Sequence, residues 1–125
     1  MRRYVVLLVA AMALSGAAIA LAASPKKGGV YIGTKSALVK KQIVLRVSKD
    51  GKSAFASLRC ADTLASTMSN ITIHKGRFSG TRSTGSLVIW TLTGRFTSKT
   101  TATASAFLHA VCDGGTVRLT LTLVP

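Results

Sequence analysis

Two patterns of apolar and polar residues divide this chain. Apolar residues run almost unbroken from position 5 to position 23, directly after the basic pair Arg2-Arg3. From Gly29 onward apolar and polar residues alternate, and threonine, valine, isoleucine and leucine dominate. A basic head before an apolar run is typical of an export signal, whereas alternation with a period of two predicts half-buried β-strands. We therefore expect a signal peptide with a signal helix at residues 1–22, a linker at 23–28 and a single β-domain at 29–125.

The residues at the end of the apolar run bear on whether the β-domain is released by cleavage or stays anchored in the membrane. Ala20-Leu21-Ala22 has the small-x-small pattern that a signal peptidase reads, which predicts cleavage before Ala23 and a secreted or envelope-associated domain. Residues 5–23 also have the length of a membrane span, so an uncleaved N-terminal membrane anchor is the alternative. Ser15-Gly16 near the centre of the run and its alanine-rich second half favour cleavage.

Turn-forming residues recur at short intervals in the β-domain and predict an all-β fold of about eight strands. The pattern is typical of an antiparallel β-sandwich or a partly closed barrel. Residues 61–69 are the least regular part, which we interpret as a loop or a single helical turn. A weak turn signal at Lys75-Gly76 predicts a hairpin with Ile73 opposite Phe78. The predicted strands lie at residues 29–34, 42–48, 53–60, 70–74, 77–81 and 86–96, followed by a C-terminal hairpin of two strands.

Asp50-Gly51 is the strongest hairpin signal because both residue types tolerate positive φ. Pairing Lys49 with Lys52 around this turn places only apolar residues on the inward side of the hairpin. The agreement between the turn and the alternation specifies the register. The predicted inward pairs are Val47 with Ala54, Leu45 with Ala56 and Ile43 with Leu58.

The same test at Gly114-Gly115 predicts a C-terminal hairpin with Asp113 opposite Thr116. Every inward residue is again apolar, whereas His109 falls on the outward side opposite Thr120. The predicted inward pairs are Cys112 with Val117, Ala110 with Leu119, Leu108 with Leu121 and Ala106 with Leu123.

Cys60 and Cys112 are the two cysteines of the chain, and both fall on inward faces of predicted hairpins. An even number of cysteines in an exported chain indicates a disulfide, so we predict a structural Cys60–Cys112 bridge. A metal-binding or catalytic thiol is disfavoured because neither cysteine has a second cysteine or a histidine at ligand spacing.

The chain is strongly basic, with 17 Lys+Arg against 3 Asp+Glu and a formal net charge of +14. Without Arg2 and Arg3, the remaining 15 basic and three acidic residues leave a charge of +12. Such a field attracts polyanions, which include anionic wall polymers, membrane surfaces, acidic polysaccharides and nucleic acids. Nucleic acid is disfavoured because stacking aromatics are scarce and no basic helix or known binding motif is found.

Catalytic chemistry has little support in the sequence. The acidic residues are Asp50, Asp62 and Asp113, which lie mostly in predicted turns, and the chain has no glutamate. Glycoside hydrolysis needs two positioned carboxylates, and an activated serine needs a nucleophile elbow, which is absent. We therefore predict no enzymatic activity, no catalytic residue, no metal site and no cofactor, and an extracellular hydrolase is the least favoured reading.

Some outward positions of the predicted strands are apolar. Several such residues on adjacent strands make a patch of the kind that marks an interface, and they are also compatible with the inner side of a second layer. As an interface they would bind a protein or a glycan, together with Trp90 or Tyr31. The candidate interaction surface consists of Val44, Phe55, Leu87, Ile89, Phe107 and Val111.

Five short motifs follow one another along the β-domain. They are residues 29–34 (GVYIGT), 47–52 (VSKDGK), 71–79 (ITIHKGRFS), 94–98 (GRFTS) and 112–117 (CDGGTV). In order and spacing this set resembles a loosely defined group of small exported β-domains of high-GC Gram-positive bacteria. The chain departs from that group at Leu119, where a tryptophan is usual, while Trp90 lies on another strand. The group has no assigned activity, so the resemblance implies only the fold, export and the cysteine bridge.

The sequence therefore predicts an exported, non-enzymatic β-domain that associates with anionic polymers of the cell envelope. The expected partner is a wall polymer or a membrane surface. The alternative is a protein- or glycan-binding module that uses the outward apolar residues.

Overall fold

The computed structural model describes residues 22–36 and 39–125, in which eight antiparallel strands close into a barrel. The strands are β1 (Val30–Lys35), β2 (Lys41–Val47), β3 (Ser53–Cys60), β4 (Thr63–His74), β5 (Arg77–Thr84), β6 (Leu87–Phe96), β7 (Thr101–Leu108) and β8 (Gly115–Leu123). Each strand pairs with the next one in the chain, and β1 pairs with β8. The all-β prediction and the number of strands are confirmed, and the architecture is a barrel rather than a sandwich. The signal helix predicted at residues 1–22 lies outside the described residues except for Ala22.

Within residues 22–36 and 39–125, no helix is long and apolar enough to cross a bilayer.

The inward side chains of the strands fill the barrel with apolar groups, as expected for a barrel of this strand number. The ring centroids of Tyr31 and Phe96 lie 5.1 Å apart, and those of Phe96 and Phe78 lie 5.3 Å apart. Trp90 is fully buried, and its indole Nε1 donates a hydrogen bond of 3.1 Å to the Ser66 hydroxyl. The other buried apolar residues are Ile43, Leu45, Val47, Ala54, Ala56, Leu58, Met68, Ile71, Ile73, Leu92, Ala102, Ala104, Ala106, Leu108, Val117, Leu119 and Leu121.

The β2–β3 hairpin has the predicted register, with Val47 opposite Ala54, Leu45 opposite Ala56 and Ile43 opposite Leu58. The turn itself differs from the prediction, because Gly51 has a positive φ of 75° and Asp50 does not. The Gly51 N–H donates to the Ser48 carbonyl oxygen, which closes a tight turn one residue earlier than predicted.

The C-terminal hairpin has a different register from the predicted one. Ala106 lies opposite Val117 instead of Leu123, and Ala104 lies opposite Leu119. The alternation did not detect this six-residue difference, because a slip by an even number keeps every side chain on the same face. The two strands are joined by the loop of residues 109–114, in which Cys112 and Asp113 have positive φ values of 55° and 63°.

Residues 61–69 belong mostly to a strand, so their interpretation as a loop or a helical turn is wrong. Cys60 pairs directly with Thr63, and the two residues between them, Ala61 and Asp62, have φ values of 50° and 67°. Positive φ at both central residues is the geometry of a type I′ hairpin turn. Sequence reasoning missed this turn because alanine rarely adopts that conformation.

A bulge near the middle of β4 explains why its alternation was difficult to follow. Asn70 has a φ of 62°, and the pairing with β3 shifts between Ala54 and Ala56. Met68 and Ile71 are both fully buried although they lie three positions apart. The extra residue of the bulge changes the phase of the strand, so a strict period of two fails there.

The two ends of the barrel are closed in different ways. We call the end that carries residues 36, 39–40, 61–62, 85–86 and 109–114 the disulfide end, and the end that carries residues 48–52, 75–76 and 97–100 the strap end. At the strap end, residues 22–29 lie across the barrel before β1 begins, and we call this segment the strap. The Ala23 N–H donates to the Phe96 carbonyl oxygen over 2.8 Å, and the Gly28 N–H donates to that of Ser48 over 3.0 Å.

The buried Tyr31 side chain stabilises the strap through hydrogen bonds of its hydroxyl group. Its hydroxyl accepts a hydrogen bond of 2.8 Å from the Lys26 N–H and donates one of 2.6 Å to the Lys99 carbonyl oxygen. Residues 23–28, predicted as a linker, are thus held against the β-domain by main-chain hydrogen bonds.

Candidate functional site

The cysteines form a disulfide that crosses the disulfide end of the barrel. The Cα atoms of Cys60 and Cys112 lie 5.9 Å apart, although the residues are 52 positions apart in the sequence. Cys60 ends β3, and Cys112 lies in the loop between β7 and β8, which is on another side of the barrel. The bridge therefore ties together two parts of the barrel that share no hydrogen-bonded ladder.

The residues of the candidate interaction surface separate into two groups. Val44 and Phe55 lie on β2 and β3, whereas Leu87, Ile89 and Phe107 lie on β6 and β7. Three strands lie between β2 and β6 in either direction around the barrel, so these groups occupy opposite sides. Val111 joins the second group, because it lies in the loop that follows β7.

The second group is the more exposed, and it lies near the disulfide end. Leu87 is 55% exposed and Phe107 is 46% exposed, whereas Ile89 and Val111 are half-buried and pack against the core. The Phe107 ring lies against the His109 ring, with centroids 4.2 Å apart. His109 lies in the 109–114 loop, so its predicted position opposite Thr120 is wrong.

Three further residues change this picture. Leu64 on β4 is also 55% exposed, and it was missed because its segment was interpreted as a loop or a helical turn. Trp90 and Tyr31 are fully buried, so neither contributes a side chain to the outer surface. An interface on this barrel therefore relies on aliphatic residues and phenylalanine.

Lysines are concentrated at the strap end. Six exposed lysines lie in the loops and the strap that make up this end. Its one acidic residue is Asp50, whose carboxylate accepts hydrogen bonds of 2.6 Å from the Ser48 hydroxyl and 2.9 Å from the Lys52 N–H. The hydrogen bond from Ser48 has the larger effect and that from Lys52 the next, and both lower the pKa of Asp50 below its usual value. The six lysines are Lys26, Lys27, Lys49, Lys52, Lys75 and Lys99.

The disulfide end has a more balanced charge. Asp62 and Asp113 lie in its loops, and Lys40 forms an ion pair of 3.4 Å with Asp62. This is the one ion pair found among residues 22–36 and 39–125. Six of the nine lysines in the described part of the chain therefore lie at the other end.

The described part of the chain contains no group of three histidine, cysteine or acidic side chains that could hold a metal ion. Asp50 lies at the strap end, whereas Asp62 and Asp113 lie at the disulfide end. The arrangement therefore supports electrostatic attraction of anions better than acid–base chemistry.

No protein-family model, no curated protein and no solved structure matches this chain. The functional conclusion accordingly rests on the geometry and the charge of the barrel itself.

Proposed function

We propose that this chain is an exported, non-enzymatic β-barrel that associates with anionic polymers of the cell envelope through its strap end. The observation that carries the proposal is the group of six exposed lysines around one end of the barrel, with Asp50 as the one acidic residue there. A local excess of one charge raises the concentration of oppositely charged polymers near the surface.

The nature of these cations supports a polymer rather than one small ligand. Lysine ammonium groups are compact, strongly hydrated charges on flexible stems, so they follow an irregular chain of anionic groups. All six lie in loops or in the strap, where their side chains are exposed to solvent. Association of this kind depends on salt, because exposed charges are screened over about 8 Å at physiological ionic strength.

Retention on isolated cell envelopes tests the proposal. We expect the barrel to be retained at low salt and released by about 1 M NaCl, where the screening length is about 3 Å. The variant K49Q/K75Q/K99Q should elute at lower salt than wild type. Its matched control is K35Q/K40Q/K41Q, which removes the same charge from the disulfide end. Retention that does not change with salt contradicts the proposal.

A second candidate function is a protein- or glycan-binding module. It is favoured by the exposed side chains of Leu64, Leu87 and Phe107 on strands that reach the disulfide end. Binding of this kind would persist at high salt and would be lost in Phe107→Ser. Salt-sensitive binding that survives Phe107→Ser would exclude it in favour of the first proposal.

A further inference from the structure

A row of three basic residues crosses the outer wall of the barrel beside the strap end. The Lys75-Gly76 turn has φ values of 51° and 75°, and it pairs His74 directly with Arg77. The β5–β6 ladder then pairs Arg77 directly with Arg95. All three side chains are exposed and share one face of the sheet.

The Arg77–Arg95 pair in this row is unfavourable for the barrel alone. Side chains directly opposite on neighbouring strands have Cβ atoms about 4.5–5.5 Å apart, and like charges in such pairs destabilise a sheet. No carboxylate forms an ion pair with His74, Arg77 or Arg95 among the described residues. An anion bound between the two guanidinium groups would remove this repulsion.

A groove lies directly beside the row and carries hydroxyl groups. It has a volume of about 360 Å³ and is lined by His74 and Arg77, and Arg95 lies at its edge as the cross-strand partner of Arg77. Its remaining lining residues are Thr72, Phe78, Ser79, Thr93 and Gly94. The three hydroxyl residues are direct cross-strand partners, Thr72 with Ser79 and Ser79 with Thr93, so they form a second row parallel to the basic one.

Gly94 and its cross-strand partner Phe78 lie between the two rows, in the inward phase of their strands. A Cβ atom at Gly94 would collide with the Phe78 ring and with the Thr103 carbonyl oxygen. The absence of a side chain lets β6 pass close to Phe78 and β7. The basic row and the hydroxyl row therefore flank a stretch of bare backbone.

We propose that this groove binds one phosphodiester group of a linear anionic polymer, with Arg77 and Arg95 on its charged oxygens. The inference rests on the proposed function and assigns its specific contact. Guanidinium groups present fixed forks of donors that match phosphate oxygens. The oxygens of a tetrahedral phosphodiester point in different directions and accept hydrogen bonds from the arginine side and the hydroxyl side together, whereas both oxygens of a carboxylate lie in one plane with its carbon.

The position of the groove favours a polymer over a membrane surface. His74, Arg77 and Arg95 lie on the side wall of the barrel, beside the lysines of the strap end rather than among them. A flat bilayer would contact the strap end face-on. A linear polymer can follow the lysines of that end and continue along the side wall.

The test compares binding of soluble poly(glycerol phosphate) and poly-glutamate of matched charge, measured by calorimetry at several salt concentrations. R77Q/R95Q should lose about tenfold or more in affinity for the phosphate polymer, because two charge-assisted contacts are removed. Its preference for phosphate over carboxylate should disappear. The control K49Q/K99Q removes the same charge and should weaken both polymers alike, with the preference retained.

A charge-retaining variant separates guanidinium geometry from charge. R77K/R95K should also lose the preference for phosphate, since lysine lacks the planar fork. Wild-type selectivity in R77K/R95K, or equal losses in R77Q/R95Q and K49Q/K99Q, would overturn the inference while the proposed function stands. Absence of binding to either polymer by the wild-type barrel would overturn both.

Two further measurements complete the test. The first detects phosphate binding through the stability of the folded barrel, and the second distinguishes a polymer phosphate from a lipid headgroup. Inorganic phosphate should raise the Tm of wild type more than that of R77Q/R95Q, and an equal rise contradicts the inference. Vesicles containing phosphatidylglycerol should bind R77Q/R95Q and K49Q/K99Q with similar affinity. A selective loss of vesicle binding in R77Q/R95Q would replace the polymer by a lipid headgroup.

Discussion

The two ends of this barrel are closed by different chemistry. The disulfide end is joined covalently by Cys60 and Cys112, and it exposes apolar residues and two of the three aspartates. The strap end is closed by main-chain hydrogen bonds to Phe96 and Ser48, and six lysines surround it. A covalent bond closes one end, whereas the other end combines a closure by hydrogen bonds with a local excess of positive charge.

An anionic partner of the kind we propose would act on the stability of the strap end. Repulsion among unpaired lysines opposes the packing of residues 22–29 across the barrel. A polyanion that neutralises these charges would favour the closed strap, because a ligand that binds the folded state stabilises it.

The largest expected effect concerns the covalent closure. Replacing both cysteines by alanine should lower the free energy of unfolding by about 2–5 kcal/mol, since the bridge restricts the unfolded chain. Urea denaturation of the variant and of reduced wild type checks this, and the two should agree. An unchanged midpoint after reduction would show that the bridge does not support the fold.

The next effect tests the non-covalent closure at the strap end. A Cβ atom at Gly76 would collide with the Ala23 carbonyl oxygen, and the φ of Gly76 is +75°. Gly76→Ala should therefore lower the free energy of unfolding by about 2–3 kcal/mol through strain and displacement of the strap. Gly85→Ala is the control, because Gly85 also has a positive φ, of 60°, but lies in open space. Equal losses in the two variants would mean that the strap contributes nothing.

A smaller effect is expected for the exposed apolar residues of the disulfide end. Phe107→Ser should change the free energy of unfolding by no more than about 0.5 kcal/mol, because the side chain is 46% exposed. Its sequence neighbour Leu108 is buried, so Leu108→Ala should cost about 2–5 kcal/mol. A large loss in Phe107→Ser would assign this residue to the fold and remove it from the candidate interaction surface.

The smallest effect is a dependence on pH at the β2–β3 turn. The hydrogen bond from the Ser48 hydroxyl, followed by that from the Lys52 N–H, holds the pKa of Asp50 below its usual value of 3.8. A lowered pKa in the folded state contributes stability above pH 3.8, which is lost as the pH falls through the folded value.

Thermal melting on the acid side checks this contribution. Wild type should lose slightly more stability than Asp50→Asn as the pH falls, because the variant has no carboxylate at the turn. Asp113→Asn, at the disulfide end, serves as the control with the turn intact. An equal loss of stability in wild type and Asp50→Asn as the pH falls would contradict a stabilising role for the Asp50 carboxylate.

The local parts of this fold were predictable where two signals agreed. The alternation and the turn signal both specified the β2–β3 hairpin, so Val47 was placed opposite Ala54 correctly. The Lys75-Gly76 hairpin was also correct, with Ile73 opposite Phe78. That register already implies His74 opposite Arg77, so the sequence contained two members of the basic row.

Other parts were not predictable from a period of two. The C-terminal register slipped by an even number, which leaves every face unchanged, and the Asn70 bulge interrupted the phase of β4. The closure of the barrel pairs Tyr31 with Leu123. These residues are far apart in the sequence, so no turn signal predicts that they pair. The pairing of Arg77 with Arg95 required the β5–β6 register for the same reason.

The candidate interaction surface shows the same limit. The phase of each strand correctly marked Phe55, Leu87 and Phe107 as outward, since all three are exposed. Phase alone does not say which strands are neighbours, so residues on opposite sides of the barrel were grouped together. The concentration of lysines at one end also depends on strand order, because three separate turns and the strap contribute to it.

The most direct test of the account is a map of backbone amide chemical shifts during titration of the labelled barrel with an anionic polymer. The account predicts the largest shifts at the strap end, for the amides of Gly28, Gly51 and Gly76, and their reversal by salt. The amide of Gly114 at the disulfide end should remain unchanged. Largest shifts at Gly114 and Phe107, or shifts that persist at high salt, would contradict the claim that this barrel binds anions through its strap end.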